Sequence, residues 1–411
     1  MDARQRVLSA VETCDGTTRA ELAEELDLPL GTVTTAVAGL LRAGALAERP
    51  AGNSPGSRAG RPAMLLVPTG PPRTVGAVVW AHGRLQIAVA TYGGTILARD
   101  DIPVADDPSD PEILEPAWRF LDRAGQGPLD RVVLGVPAPF QRGVGLPPGR
   151  LPVPGPGTGQ RDTPRSGFAP WLQPDPAAAL ARRLGVPVVI ENDANLGALG
   201  EAHAGAGRGH GCQIYLKLGE RSVGAGLVLD GALYRGASGF AGEIAHIHAD
   251  DEGPLCICGA RGCLWSRARR PLVELMEYAY DRPLTFPEVL RLADADEPAP
   301  ARVLREVGRA LGRPLADLCT FVNPSLLILD GALGGAGRHV LRGLSEQIER
   351  YCAPAVAATL ALAPGALGAD ADITGAVRLA RAEALGRAAV LGRAAVLGRA
   401  AVLNPAGAAR R

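Results

Sequence analysis

The chain has 411 residues, and its 43 Lys and Arg balance 43 Asp and Glu, so the formal net charge is zero. A neutral chain does not hold nucleic acid or an anionic membrane through its overall field; any such contact rests on local patches. No apolar run is long enough to cross a bilayer and aromatic residues make up only 4%, which excludes a helical membrane protein and predicts two or three soluble domains with aliphatic cores.

In chain order, apolar Val7, Leu8 and Val11 predict a helix over Arg4–Thr13. A second helix over Thr18–Leu26 opens with Thr18 and Glu21 at capping-box spacing. After the Asp27-Leu28-Pro29-Leu30 break comes a third, Gly31–Ala43, with Gly44 just past its end, where a left-handed cap is favoured. Val33, Val37, Leu40 and Leu41 give it one apolar stripe and leave Thr32, Thr34 and Thr35 on the outer side. Leu46–Arg49 and Ala63–Val67 read as strands joined by a Gly/Ser/Pro loop. Helix, helix-turn-helix and a two-stranded wing predict a winged helix-turn-helix DNA-binding domain over residues 1–68; a small helical dimerisation module is the alternative.

Residues 69–74 read as a proline-rich linker. Short strands follow at Val75–Trp80, Leu85–Ala90 and Thr95–Ala98, the last two joined by a turn at Gly93-Gly94. Val132–Val136 and Val186–Ile190 continue the pattern with helices between them, and Ile214–Leu218 and Gly226–Leu229 open a second strand set. An α/β body of two lobes around a cleft is expected over residues 75–385, with a long irregular connection at Pro147–Pro176. Leu-Gly-Arg-Ala-Ala-Val begins at Leu385, Leu391 and Leu397. Its six-residue period matches neither a helical face nor a heptad, so residues 386–411 are expected to form a frayed tail.

The most informative stretch holds His246, Cys256, Cys258 and Cys263. Three thiolates and one imidazole complete a tetrahedral zinc site with no open position, so one structural Zn2+ is predicted, and it does no chemistry. Cys256 and Cys258 are too close for an easy disulfide, whereas Gly259 and Gly262 let the loop fold back around a metal. The odd cysteine count, the metal-type spacing and the lack of a charged-then-apolar leader predict a reducing, cytoplasmic setting.

Gly242-Glu243-Ile244-Ala245-His246 and Cys256-Ile257-Cys258-Gly259-Ala260-Arg261-Gly262-Cys263-Leu264 resemble the ROK family, which groups sugar kinases with repressors. The resemblance continues in Ile190-Glu191-Asn192-Asp193-Ala194-Asn195 and in Asn323-Pro324 through Asp330-Gly331, and covers about Thr74–Leu385. It implies that the two lobes have the actin- and hexokinase-like architecture of a ROK domain. It also implies that Asp193 is the base toward a sugar hydroxyl, that Asn192, Glu243 and His246 bind sugar hydroxyls, and that His246 doubles as zinc ligand. Asn192 or Asp193 would also cap the helix that follows.

The family's phosphate-binding patterns are altered. Val79-Trp80-Ala81-His82-Gly83-Arg84 stands where an Asp-x-Gly-Gly-Thr pattern organises magnesium, and valine cannot. Glu220-Arg221-Ser222-Val223-Gly224-Ala225-Gly226 keeps only the second half of a Gly-rich loop, and Glu220 repels a polyphosphate. Asp330 replaces a glycine on the adenosine side. Ala245 replaces a glycine, and Trp265 replaces a sugar-binding Glu with a ring that can stack on a sugar but accepts none of its hydrogen bonds. Asp193 is therefore expected to be vestigial, with no active catalytic residue.

The function expected is a DNA-binding transcriptional regulator, a repressor of carbohydrate-related genes, whose kinase-like body senses a sugar or sugar-phosphate effector. Its partner is a duplex DNA operator, bound by a homodimer or dimer of dimers, with no membrane partner. Expected DNA contacts are Thr32, Thr34, Thr35, Arg42, Arg58 and Arg61, with Arg49 adding charge. Gly60-Arg61-Pro62 matches a wing motif of the family's repressors, whose Arg enters the minor groove. The start of the recognition helix offers no Arg, Lys, Asn or Gln for a bidentate base contact. The alternative is an ATP-dependent sugar kinase, for a hexose or N-acetylhexosamine, with a DNA-binding appendage. A regulator without a small-molecule effector is a third possibility, resting on Trp265.

Overall fold

The computed structural model describes residues 2–12, 14–50, 64–81, 83–104, 114–124, 127–138, 176–220, 222–256, 258–331 and 333–386. Arg58 and Arg61 of the wing, His82, Arg221, the expected connection up to residue 175 and the tail from residue 387 lie outside the described residues.

The N-terminal unit comprises α1 (Ala3–Glu12), α2 (Arg19–Glu25), α3 (Leu30–Arg42) and the antiparallel pair β1 (Leu46–Pro50) and β2 (Met64–Pro68). The capping box forms: Glu21 N–H donates to Thr18 Oγ1 and Thr18 N–H to the Glu21 carboxylate. Gly44, at φ +68°, takes the left-handed position just beyond α3. Val7, Val11, Leu22, Val33, Val37, Leu40 and Leu66 close one core. Ala36 completes the buried stripe of α3, and Leu41, one position off that face, is only half-buried.

In the body, β3 (Thr74–Ala81), β4 (Arg84–Thr91), β5 (Ile96–Pro103), β6 (Leu129–Val136) and β7 (Val188–Asn192) form a sheet in the order β5-β4-β3-β6-β7. β8 (Cys212–Leu218), β9 (Val223–Leu229), β10 (Ala232–Tyr234), β11 (Leu326–Asp330) and β12 (Ala361–Pro364) form a second, ordered β10-β9-β8-β11-β12. In each, the first three strands pair antiparallel and the last two join parallel. The lobes are thus two copies of one topology. β3 is buried on both faces, which explains its unbroken aliphatic run. β5 extends past Ala98 through the exposed Arg99, Asp100 and Asp101, because pairing with β4 holds this edge strand where its polar sequence gives no signal.

α4 (Glu115–Arg123) and α5 (Pro176–Leu184) cover one face of the first sheet. α7 (Leu264–Ala268), α8 (Arg270–Tyr278), α9 (Phe286–Asp294), α10 (Pro298–Val322) and α11 (Gly337–Tyr351) cover the second, and α12 (Pro354–Ala357) leads into β12. Between the sheets lie α6 (Asp193–Ala204) and α13 (Ala371–Ala384). α13 packs on β3 and β6, α6 on β8 and β9, and the two helices pack on each other. They meet backbone to backbone: a Cβ on Gly200 would lie 2.1 Å from the Ala371 carbonyl oxygen, and one on Gly375 would lie 1.9 Å from that of Leu196. The N-termini of this helix pair carry Asp193 and Asp372, which places both carboxylates where the lobes meet.

Candidate functional site

The Cys/His cluster is assembled by two glycine-dependent turns. Cys256 N–H donates to the Ala260 carbonyl at 2.8 Å and Gly259 N–H to that of Cys256 at 2.9 Å. Gly259 and Gly262 sit at φ +92° and +63°. A Cβ on Gly262 would fall 1.6 Å from the Asp250 carbonyl oxygen, so no other residue fits that turn. His246 ends a 3₁₀ turn, and Cys263 directly precedes α7. One donor atom from each of His246, Cys256, Cys258 and Cys263 lies within 4.8 Å of all the others. His246 Nδ1 is 3.5 Å from Cys256 Sγ, and Cys258 Sγ is 3.5 Å from Cys263 Sγ. Tetrahedral zinc with Zn–S bonds of about 2.3 Å spaces its ligands about 3.8 Å apart, so the set fits a single ion. Burial lowers the His246 pKa, which favours the neutral ring that a metal ligand must be. Burial also pushes the Cys263 thiol up to about 12, a penalty that a bound cation reverses.

The second constellation lies at the start of α6. Asn192 is the N-cap: its Oδ1 accepts from Asn195 N–H and its Nδ2 donates to the Ala138 carbonyl, both at 3.2 Å. Both ends of the amide serve the fold. Asp193 Oδ1 accepts from Ala194 N–H at 2.9 Å, and Oδ2 lies 2.6 Å from Lys217 Nζ. Lys217, on β8, also pairs with Asp372 in the first turn of α13. Burial works against the ammonium, but the two carboxylates outweigh it and raise the Lys217 pKa. Glu243 stands within electrostatic reach: burial first, and the Asp193 charge second, push its carboxyl up to about 7. Behind these groups Glu191 holds Arg235 Nε at 2.7 Å and Asn195 Nδ2 at 3.0 Å.

The structure therefore brings Asp193 and Glu243 together and adds Lys217 and Asp372, which sequence reasoning did not assign. Lys217 carried a signal, being the only lysine in a chain whose other cations are arginines. Asp372 carried none. Trp265 is 7% exposed and packs in the core of the second lobe beside Leu264 and Ala268, so its ring is committed to the core and is not presented for stacking on a sugar.

The segments around Val79, Glu220 and Asp330 have packing roles. Val79 is fully buried with Ala77, Val133 and Leu196. Gly219 N–H donates to the Ser222 carbonyl at 2.9 Å, closing the β8–β9 turn and leaving Glu220 exposed. The glycines that follow make room for α6: Cβ atoms on Gly224 and Gly226 would lie 2.8 and 2.4 Å from the Cβ atoms of Ala194 and Ala198. Asp330 accepts from Tyr215 Oη at 3.1 Å and from Gly331 N–H at 2.7 Å, and burial raises its carboxyl to about 6.

On the N-terminal unit, Thr32, Thr34, Thr35 and Arg42 are exposed along α3. Thr34 Oγ1 donates to the Leu30 carbonyl at 2.8 Å and Thr35 Oγ1 to that of Gly31 at 2.9 Å. Their hydroxyl protons are committed to the helix, leaving oxygen lone pairs and methyl groups for a partner. Arg49, exposed on β1, donates its Nη2–H to the Asp15 carbonyl at 2.8 Å.

Comparison with known proteins follows the same division. The ROK family matches residues 161–383. Over 361 residues the chain is 27% identical to a xylose repressor of Bacillus spizizenii, covering 87% of this chain and 89% of that protein. It is 34% identical over 241 residues to a glucokinase of Streptomyces coelicolor, covering 52% of this chain and 74% of that protein. The fold is similar to the crystal structure of a ROK family transcriptional regulator, a homolog of the E. coli MLC protein, with a TM-score of 0.67 and 20% identity over 95% of this chain and 99% of that one. A ROK family glucokinase from Streptomyces griseus, in complex with glucose and AMPPNP, is similar with a TM-score of 0.57 and 25% identity over 75% of this chain and 99% of that one. With a match that spans more than half its length and the two-lobed body these structures share, the chain belongs to the ROK family.

Proposed function

We propose that the chain is a sugar-responsive transcriptional repressor. Residues 1–68 bind duplex DNA, residues 69–74 link, and residues 75–385 sense a sugar without phosphorylating it. The observation that carries this is the engagement of Asp193. The carboxylate that the family uses as a base is committed here to an ion pair: Oδ2 is held by Lys217 and Oδ1 accepts from Ala194 N–H, while each oxygen keeps a lone pair that can accept from a sugar hydroxyl. The relatives support the same reading: the 361-residue alignment with the xylose repressor reaches beyond the body, whereas the glucokinase alignment covers 52% of the chain.

In this reading Glu243 and Asp193 accept hydrogen bonds from sugar hydroxyls, with Asn192 and His246 fixing the walls around them. Two carboxylates, Asp193 and Asp372, share the Lys217 ammonium, so the balance favours a neutral sugar over a sugar phosphate. His246, Cys256, Cys258 and Cys263 hold one structural zinc. Thr32, Thr34, Thr35 and Arg42, with Arg58 and Arg61 of the wing, meet the operator. The three threonines are weak readers of bases, so two copies in a dimer supply the two half-sites. Among the described residues no helix is long and apolar enough to cross a membrane, and the protein works in the cytoplasm.

A thermal-shift panel of neutral pentoses and hexoses, paired with a gel shift on the DNA upstream of the gene, tests the proposal. One sugar is expected to raise the unfolding midpoint by mass action and to weaken the shifted band. Magnesium-ATP turnover on that sugar would favour the kinase instead.

A further inference from the structure

Gly93-Gly94-Thr95 looks like a phosphate loop but forms the β4–β5 turn, and two side chains grip that turn from either side. From the N-terminal unit, Asp15 reaches across: its Oδ1 accepts the Thr91 hydroxyl at 2.6 Å, and its Oδ2 accepts Thr95 N–H at 3.2 Å and the Thr95 hydroxyl. From the body, Arg381 on α13 donates its Nε–H to the Tyr92 carbonyl at 2.6 Å. The glycines leave room for this grip, and Gly94, at φ +103°, also takes a backbone conformation that favours glycine. A Cβ on Gly93 would lie 2.1 Å from Asp15 Cγ, and one on Gly94 would lie 2.6 Å from Arg381 Nη1. A cavity of about 510 Å³ beside the joint, lined in part by Glu12, Arg49, Pro68 and Tyr92, leaves room for it to shift.

The other end of α13 carries Asp372, paired with Lys217 and through it with Asp193. Asp372 and Arg381 lie nine residues apart on one unbroken helix, about 13 Å along its axis. Most of that helix is buried, and it meets α6 without intervening side chains at Gly200 and Gly375. A close-packed helix moves as a body, so a displacement at Asp372 reaches Arg381.

We propose that α13 is a rod that carries the state of the Asp193–Lys217–Asp372 cluster to the DNA-binding unit. A sugar hydroxyl that takes Asp193 leaves Lys217 to Asp372 alone. α13 then shifts along α6, and Arg381 changes its hold on the turn that Asp15 grips. The sugar-dependent part of this scheme rests on the sensor reading given above. The mechanical link between Asp372 and the Asp15 joint does not.

Hydrogen exchange on the full chain reads that link without ligand or DNA, through the Thr95 amide, which donates to Asp15 Oδ2 at 3.2 Å and, at 3.1 Å, to Thr91 Oγ1, itself held by Asp15. Asp372→Asn and Arg381→Met are each expected to speed exchange of the peptide spanning residues 91–96 by about 5-fold or more. Asp15→Asn should do the same, and Asp372→Asn added to it should bring no further change. Lys217→Arg, which keeps the charge but alters the geometry, serves if Asp372→Asn fails to fold. In a second arm, D-xylose or D-glucose changes the affinity of the wild type for its upstream duplex, and Arg381→Met abolishes that change. Exchange at residues 91–96 that stays at the wild-type rate in both Asp372→Asn and Lys217→Arg, while Asp15→Asn raises it, overturns the proposal. So do effects of Asp372→Asn and Asp15→Asn that multiply independently. If neither sugar nor duplex binds, the sensor reading fails, and the exchange arm still decides the link.

Discussion

Lys217 Nζ lies 2.6 Å from Asp193 Oδ2, so the only lysine of the chain is paired with the carboxylate that family resemblance assigns to proton abstraction. Purified protein with magnesium-ATP and a hexose or N-acetylhexosamine is expected to release ADP no faster than Asp193→Asn does. Lys217→Met should not restore turnover, because the β8–β9 turn remains closed by Gly219 and Ser222. A coupled ADP assay checks both, and turnover that Asp193→Asn abolishes would count against the pairing as an inactivating feature.

Metal analysis should find one zinc per chain, and Cys258→Ser should lose it. Chelation is expected to lower the unfolding midpoint by several degrees, since metal binding and local folding are coupled. The loss should appear first as faster exchange around residues 242–268, where the ligands and α7 share one set of turns. A protein that contains no stoichiometric zinc and is indifferent to chelation excludes the site.

Glu243 sets a pH dependence. Burial and the Asp193 charge hold its carboxyl at about 7, against 4.5 for an unperturbed Glu. Below pH 4.5 both folded and unfolded chains carry this proton, and the contribution to stability is whole. As pH rises from there through 7, the unfolded chain has given the proton up while the folded chain still holds it, and the contribution is lost. Glu243→Gln stays neutral throughout. Between pH 4.5 and pH 8 it should gain on the wild type by on the order of 3 kcal/mol in denaturant unfolding. Parallel profiles for the two proteins would show that Glu243 is not held protonated.

How far the sequence speaks depends on whether a signal is local. The capping box at Thr18 and Glu21 and the left-handed Gly44 mark the ends of α2 and α3, because each involves residues within a turn of one another. The Cys/His cluster was legible for the same reason, since its turns at Gly259 and Gly262 are local. Asp372 was invisible, because its partner Lys217 sits on a strand in the other half of the body and only tertiary packing joins them. Arg49 reads as a wing charge by position, yet it folds back to Asp15. The role of Gly93-Gly94 was half legible: the turn follows from the glycines, but the side chains that press on them come from the two ends of the chain.

The contact between α6 and α13 leaves no space for a methyl group. Gly200→Ala would set a Cβ 2.1 Å from a backbone carbonyl that no rotamer change can move aside. It should cost about 3 kcal/mol or more, at the upper end for overpacked cores. Gly211→Ala, with nothing within 4 Å of the added Cβ, is the control and should stay within about 0.5 kcal/mol of the wild type. Thermal unfolding of the two variants side by side distinguishes them.

The central claim, a sugar-responsive repressor, is tested most directly by footprinting the full chain on the DNA upstream of its gene, with and without the sugar that stabilises it. The expected result is protection of two half-sites on one face of the duplex, with affinity falling about 5-fold or more when that sugar saturates. Arg42→Ala should weaken binding on all sequences and reduce the salt slope by about 1. No protection at any protein concentration, or protection that no sugar alters, would contradict it.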